Sequence, residues 1–218
     1  MRYEELSPAW QRVFALAWES LLKGSKAIAA VIVSESGEII SEGRNRISEN
    51  VYPNARIAHA ETEAVANLDI KKYPNADGYT LYAGLEPCVM CFGTIDMGHV
   101  KRIVIAARDG YGGAMELATA TEFLRKHPIQ IEYADPMLGY VQRTMQAFRE
   151  LLKNNDVRKR EHTLQAISMI HPESVEVAKK LVENGYIQQA IAGGEEYAVI
   201  FNKVVEELQV LLDRWISK

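Results

Sequence analysis

Cysteine is scarce in this sequence of 218 residues, which has only two. Both lie in Cys88-Val89-Met90-Cys91, so a disulfide framework is excluded and the thiols are either metal ligands or a redox pair. No apolar run approaches the ~20 residues of a membrane-spanning helix, and the best, Ala27–Val33, has the length of a strand. The segment Met1–Glu5 lacks the basic-then-apolar form of a secretory signal. We therefore expect a cytoplasmic protein that does not bind membranes.

An excess of positive charge is also missing. The formal net charge is −4, and residues 155–218 carry eight Lys and Arg against ten Asp and Glu. Polyanion binding depends on clustered Lys and Arg, so this balance argues against a general nucleic-acid-binding surface, although a local patch such as Arg158-Lys159-Arg160 stays open. The composition, 48% hydrophobic and 25% charged, is that of an ordinary globular protein.

Two short motifs contain the candidate metal ligands and the candidate catalytic residue. His59-Ala60-Glu61 is followed by Pro87-Cys88-Val89-Met90-Cys91. His59, Cys88 and Cys91 make three zinc-ligand candidates, and three protein ligands leave a fourth tetrahedral position open for water, as in a catalytic site. Glu61, two residues after the histidine, can stand beside that water without binding the metal. This pairing is typical of zinc deaminases.

The chemistry expected of such a site is hydrolytic. Zinc lowers the pKa of a bound water from 15.7 to about 7. Glu61 would take a proton from that water and return it to a ring nitrogen and then to a leaving amine. The products are a carbonyl group and ammonia.

Three less specific interpretations stay open. The zinc site could be structural, with a fourth ligand supplied by His99, His127, His162 or His171. The two cysteines could form a redox pair, which requires a thioredoxin-like context. Glu61 could simply be a solvated first-turn residue that complements the helix dipole. As a function of another class, the chain could be a non-catalytic zinc-binding module used for assembly or binding.

The hydrophobic pattern predicts an α/β protein. A helix begins at Ser7-Pro8 and ends near Gly24, because serine caps helices and proline fits their first turn. Strands are predicted over residues 27–33, 38–43, 79–85, 100–107 and 129–133, and helices lie between most of them. We expect a three-layer helix–sheet–helix fold with a mixed five-stranded sheet.

After about residue 154 the pattern becomes helical only. We predict a zinc-dependent deaminase domain over residues 1–154 and a helical C-terminal extension over residues 155–218. A long apolar stripe runs through the segment Glu196–Ile216, from Tyr197 to Trp215. Such a stripe must be buried, either on the first domain or on a second copy of the chain, and we expect a homodimer.

The string Thr80-Leu81-Tyr82-Ala83-Gly84-Leu85-Glu86-Pro87-Cys88-Val89-Met90-Cys91 is far more specific than its C-x-x-C alone. With it, the chain resembles the cytidine-deaminase-like superfamily, in the branch of tRNA adenosine deaminases and guanine or nucleoside deaminases. Similarity runs from about residue 27 to 107 and more weakly to 154. The resemblance implies the deaminase fold, a zinc cofactor, His59, Cys88 and Cys91 as ligands, and Glu61 as the catalytic proton carrier.

The resemblance also implies substrate contacts. Gly43-Arg44-Asn45-Arg46 is similar to a segment whose asparagine contacts the bound base or nucleoside, and the backbone N–H of Ala60 falls where the family contacts a base. Asp109 and Tyr111, in a glycine-rich loop after a strand, are further candidates. The basic helix of many tRNA enzymes is missing, so we expect a small nucleobase or nucleoside of purine type as substrate, with tRNA adenosine as the alternative.

Overall fold

The computed structural model describes residues 1–216, apart from the side chains of residues 76, 215 and 216. Its sheet consists of β1 (Ala29–Val33), β2 (Ile39–Arg44), β3 (Thr80–Leu85), β4 (Arg102–Ala107) and β5 (Gln130–Tyr133). The order is β2-β1-β3-β4-β5. β1 is antiparallel to β2 and β3, whereas β3, β4 and β5 are parallel. The predicted mixed five-stranded sheet is confirmed.

Helices cover both faces of this sheet. They are α1 (Pro8–Leu22), α2 (Ala60–Ala66), α3 (Val89–Met97), α4 (Glu122–Lys126), α5 (Pro136–Lys153), α6 (Val157–Ser168), α7 (Pro172–Glu183), α8 (Tyr186–Gly193) and α9 (Tyr197–Ile216). Short 3₁₀ turns occur at residues 3–5, 55–57, 76–78 and 115–119. None of the helices within residues 1–216 is long and apolar enough to cross a membrane.

Side-chain alternation along β1 separates two hydrophobic cores. Ala29, Val31 and Val33 belong to the core under α1 and α5. Ala30 and Ile32 belong to the core under α2 and α3. Successive side chains of a strand point to opposite faces, so a fully buried strand contributes to both layers. This arrangement is the predicted helix–sheet–helix fold.

Local sequence signals explain where α1 begins and which face it buries. The Ser7 hydroxyl accepts a hydrogen bond from the N–H of Trp10, and Pro8 occupies the first turn. Val13, Phe14 and Leu21 then recur on one face, and all three are buried. The predicted helix from Ser7-Pro8 to Gly24 is thus confirmed to within two residues at its end.

The C-terminal helices join the first core. α9 packs against α5, α7 and α1, and Phe14 and Phe201 lie edge to face with ring centroids 5.4 Å apart. The predicted burial of the α9 stripe is confirmed from Tyr197 to Leu211, while the side chain of Trp215 lies outside the described residues. Because one core includes residues from both segments, the stripe from Tyr197 to Leu211 is covered within a single chain. The division at residue 154 and the homodimer stay predictions.

Candidate metal centre and substrate site

His59, Cys88 and Cys91 bring their ligand atoms together near the C-terminal end of β3, the central strand of the sheet. Nδ1 of His59 lies 3.6 Å from Sγ of Cys88 and 3.5 Å from Sγ of Cys91, and the two sulfurs are 3.6 Å apart. A tetrahedral zinc ion with Zn–S near 2.3 Å and Zn–N near 2.0–2.1 Å holds such atoms roughly 3.5–3.8 Å apart. The donor set and its spacing therefore fit zinc.

Two of the three ligands are the residues at which helices begin. His59 is the N-cap of α2 and Cys88 is the N-cap of α3, both with extended backbone, and Cys91 follows one turn later. Positive partial charge at helix N-termini favours thiolates. Gly43 of β2 allows α2 to approach this closely, because a Cβ there would collide with the Ala60 carbonyl and the Ala64 nitrogen.

The thiols and the imidazole influence one another strongly. The hydrogen bond with Cys91 lowers the pKa of Cys88 to about 3, with a further contribution from His59. The same contact and burial raise the pKa of Cys91. The hydrogen bond with Cys88 raises the pKa of His59. A thiol that coordinates a metal ion is deprotonated outright, so zinc binding requires both cysteines as thiolates.

Glu61 lies in the first turn of α2 and points inward rather than to solvent. Glu61 is only 4% exposed, and this burial raises the pKa of its carboxyl group. Cys91 and His59 both interact with this carboxyl group. A first-turn glutamate that merely complemented the helix dipole would remain in water, so its burial beside the ligands favours a role in the site.

The group of possible metal ligands within the described residues consists of His59, Cys88 and Cys91. His99, His127, His162 and His171 do not join it. A structural zinc site normally has four protein ligands, and this arrangement supplies three. The Thr62 hydroxyl lies 3.6 Å from Sγ of Cys91, where it can orient the sulfur.

The structure places Asn45 directly after β2, with 1% of its surface exposed. Its Oδ1 accepts hydrogen bonds from the backbone N–H groups of Lys26 and Ile47. These bonds match the role of a turn residue and leave the amide nitrogen available as a donor. Ala60, the first residue of α2, is fully buried, and its N–H has no acceptor within the helix. Their substrate contacts stay predictions.

Asp109 and Tyr111 lie in the loop after β4, next to a small cavity rather than in the ligand cluster. A carboxylate oxygen of Asp109 accepts hydrogen bonds from the Arg143 guanidinium and from the N–H of Tyr111. The Tyr111 ring is 77% exposed and meets His162 edge to face at 5.4 Å. The proposed substrate contacts of both residues remain untested predictions.

Sequence reasoning missed the residues that hold these segments in place. Glu86 accepts hydrogen bonds from the N–H groups of Asp109 and Met115, which fixes the loop beside the cysteines. Glu63 accepts from the N–H of Arg44 and from the guanidinium of Arg46, which ties α2 to the segment that carries Asn45. The position of Glu86, directly before Pro87-Cys88, was the available signal.

Comparison with known proteins adds an independent finding. Residues 4–107 match the family described as the cytidine and deoxycytidylate deaminase zinc-binding region. A protein named tRNA-specific adenosine deaminase from Streptococcus pyogenes is 35% identical over 133 residues, which are 59% of this chain and 80% of that protein. A protein of the same name from Aquifex aeolicus is 32% identical over 139 residues, or 61% of this chain and 86% of that one.

A solved structure has the same fold. It comes from work on A-to-I editing by tRNA:A34 deaminases at the wobble position of transfer RNA. The likeness covers 58% of this chain and 91% of the other, with 24% sequence identity and a TM-score of 0.50. At this identity the likeness concerns the fold alone.

Proposed function

Because this chain belongs to the cytidine-deaminase-like superfamily of zinc-dependent deaminases, we propose that it hydrolyses an exocyclic amino group from a nucleobase or nucleoside and releases ammonia. The convergence of His59, Cys88 and Cys91 beside the buried carboxyl group of Glu61 carries this proposal. We favour a purine substrate, because the relatives described above are named for adenosine.

In this proposal His59 would hold zinc through Nδ1, and Cys88 and Cys91 would hold it through Sγ. When bound, zinc makes a water molecule acidic enough to act as a nucleophile near neutral pH. The hydroxyl of Thr62 orients the Cys91 sulfur, since partners of a ligand fix its position.

Glu61 carries the protons of the reaction. It accepts one proton from the attacking water and delivers it to a ring nitrogen, and it then accepts the second proton from the added hydroxyl group and passes it to the departing amino group. One water is consumed, the C–N bond breaks, and a carbonyl group and ammonia form. The raised pKa of the buried carboxyl group suits this role, because a proton carrier works best with a pKa close to the working pH.

The Asn45 amide nitrogen and the Ala60 N–H complete the proposed site as donors to the ring. Asn45 and Ala60 are both buried residues of the segments that flank the ligands. Buried donors need acceptors, and the carbonyl and ring-nitrogen atoms of a purine are acceptors. A substrate in this position would present its amino-bearing carbon to the metal centre.

Deamination of adenosine in tRNA is the second candidate, because the named relatives are tRNA-specific. The net charge of −4 favours a small substrate, since polyanion binding relies on several Lys and Arg contacts to phosphates. A catalytically silent zinc module is the candidate of another class. The buried Glu61 speaks against it, because zinc binding alone does not require that carboxyl group.

Ammonia release separates these candidates. The zinc-loaded full chain is incubated with guanine, adenine, cytosine, their nucleosides and tRNA, and ammonia and inosine are quantified. We expect ammonia from a free base or nucleoside. Inosine formed only in tRNA would select the second candidate. Bound zinc without ammonia from any compound would select the silent module. Glu61→Gln is the inactive variant, and Glu176→Gln, on the exposed face of α7, is the matched control.

A further inference from the structure

A cavity of about 130 Å³ lies between α5, α6 and the loop that carries Asp109. α6 contributes His162, Thr163 and Ala166 to its wall. A cavity of about 150 Å³ accepts a molecule as large as benzene, so this volume accommodates one five-membered ring with small substituents. The sequence pattern placed α6 in the extension and gave no sign that it would line a cavity.

The cavity adjoins the segments that carry Asn45 and Cys88. Lys26, Ile28 and Leu85 line the cavity. The Asn45 N–H donates to the Ile28 carbonyl at 2.8 Å, and its Oδ1 accepts from the Lys26 N–H. Leu85 ends β3, three residues before Cys88. If a base is bound at Asn45, a substituent on that base would therefore lie next to the cavity.

The charged groups in the lining nearly balance one another. Arg143 pairs with Asp109 at 3.2 Å, and Arg149 pairs with Glu150 at 3.0 Å. Lys26 is the one lining cation without an ion pair among the described residues. A single net positive charge suits a neutral group better than a string of phosphates, each of which requires its own cation.

Side chains that can form hydrogen bonds with a hydroxyl group also line the cavity. Gln146, His162 and Thr163 offer amide, imidazole and hydroxyl functions around the cavity. The Thr163 hydroxyl donates to the Lys159 carbonyl at 3.0 Å, so its oxygen remains an acceptor. Sites built to hydrogen-bond a hydroxyl group discriminate strongly against ligands that lack it.

We infer that this cavity is a second compartment of the substrate pocket, which binds the pentose of a free nucleoside, and that Thr163 and Ala166 of α6 determine this specificity. The inference rests on the proposed deaminase function and names its substrate class. α6 then excludes a nucleotide embedded in a polynucleotide, because the compartment closes around one sugar.

The extension also holds the facing loop. The Tyr111 ring contacts the His162 ring, and Gly110 lies so close to Ile170 that an added Cβ would come within 2.9 Å of its Cδ1. The loop and α6 therefore form the compartment jointly. A side chain enlarged on α6 would fill it without touching the metal ligands.

Calorimetry in a Glu61→Gln background tests the compartment, because binding is measured without turnover. Guanosine, adenosine and cytidine are compared with their free bases, and each nucleoside 5′-monophosphate serves as an anion probe. Ala166→Leu fills the cavity and Thr163→Val removes the hydroxyl at nearly constant volume. Gln165→Ala, exposed on α6 and outside the cavity lining, is the matched control. Melting temperatures verify that each variant is folded.

We expect at least one nucleoside to bind more tightly than its base, and both cavity variants to weaken it by ~10-fold while base affinity stays nearly constant. Equal losses for base and nucleoside, no loss in either variant, preference for the monophosphate, or no binding of any nucleoside would each overturn the inference. Failure of the deaminase proposal appears separately, as the absence of ammonia with unchanged nucleoside binding.

Discussion

The guanidinium group of Arg143 lies 3.2 Å from a carboxylate oxygen of Asp109, and this contact joins the middle of α5 to the loop after β4. The side chain of Arg143 is 4% exposed and that of Asp109 is 19% exposed. Burial lowers the pKa of Arg143, and the nearby Asp109 carboxylate opposes that effect. The pair therefore keeps a charged group inside the protein and fixes one wall of the cavity beside α6.

Removal of Asp109 should destabilise the protein strongly. Asp109→Ala leaves the Arg143 charge buried and uncompensated, which costs ~3–5 kcal/mol of unfolding free energy. Urea denaturation measures this loss. The control is Asp77→Ala at an exposed position, and a double variant with Arg143→Met should recover part of the loss. A difference between Asp109→Ala and its control below about 1 kcal/mol would show that the pair contributes no more than a surface contact.

Glu61→Gln should abolish deamination while zinc content and fold persist. The amide has nearly the same shape as the carboxyl group but cannot carry a proton, and general acid–base catalysis contributes ~10²–10⁴-fold in rate. Turnover, bound zinc and melting temperature are measured on the same preparation. Activity within about tenfold of the parent chain would remove Glu61 from the mechanism.

Loss of any one ligand should release zinc. His59→Ala, Cys88→Ser and Cys91→Ser each reduce the donor set to two residues, and we expect well under half an equivalent of zinc by metal analysis. His127→Ala, at an exposed position, should retain about one equivalent. Because a metal that binds only the folded state stabilises it, chelation should also lower the melting temperature of the parent chain and leave that of Cys91→Ser unchanged. Full zinc occupancy in Cys91→Ser would contradict the assignment.

Acid should destabilise the protein partly through His171. Burial lowers the pKa of His171 to about 4, and the Arg143 charge contributes to the shift; the Tyr140 ring also packs on it, 4.8 Å away. The unfolded chain takes up this proton near pH 6.5, so the unfolded state binds more protons between pH 6.5 and 4. The stability due to neutral His171 is therefore complete above pH 6.5 and declines as the pH falls through this window.

Urea denaturation at pH 7, 5.5 and 4 of the parent chain and His171→Gln measures this effect. The carboxylates titrate in both proteins, so the difference between the two isolates the histidine. We expect the parent chain to lose more stability on acidification than the variant. Parallel loss in both proteins would show that His171 does not contribute.

Truncation of Phe201 should reveal how much α9 supports the main core. Phe201 is fully buried and lies against the rings of Tyr3 and Phe14. Phe201→Ala should cost ~3–5 kcal/mol through lost burial and a residual cavity. Val199→Ala, half exposed on the same helix, should have little effect. Similar melting temperatures for the two variants would mean that α9 packs only loosely.

The sequence predicts the strands well, because β1 is a continuous apolar run bounded by turn residues and each predicted strand lies within two residues of the observed one. The sequence also predicts that His59 and Cys88 lie close together, since the spacing of their motifs is specific. The sequence does not predict the ion pair of Asp109 and Arg143, because the two residues are 34 positions apart and neither belongs to a motif. For the same reason the place of α6 beside the cavity required the tertiary packing.

The contact of Phe14 with Phe201 has a consequence for the synthesis of the chain. The ribosome adds 5–20 residues per second. The interval between the synthesis of Phe14 and that of Phe201 is therefore roughly 10–40 s. During that interval the face of α1 that α9 will cover stays open to other apolar surfaces. We expect nascent chains arrested before residue 197 to bind chaperones that recognise apolar segments, and released full-length chains to escape them.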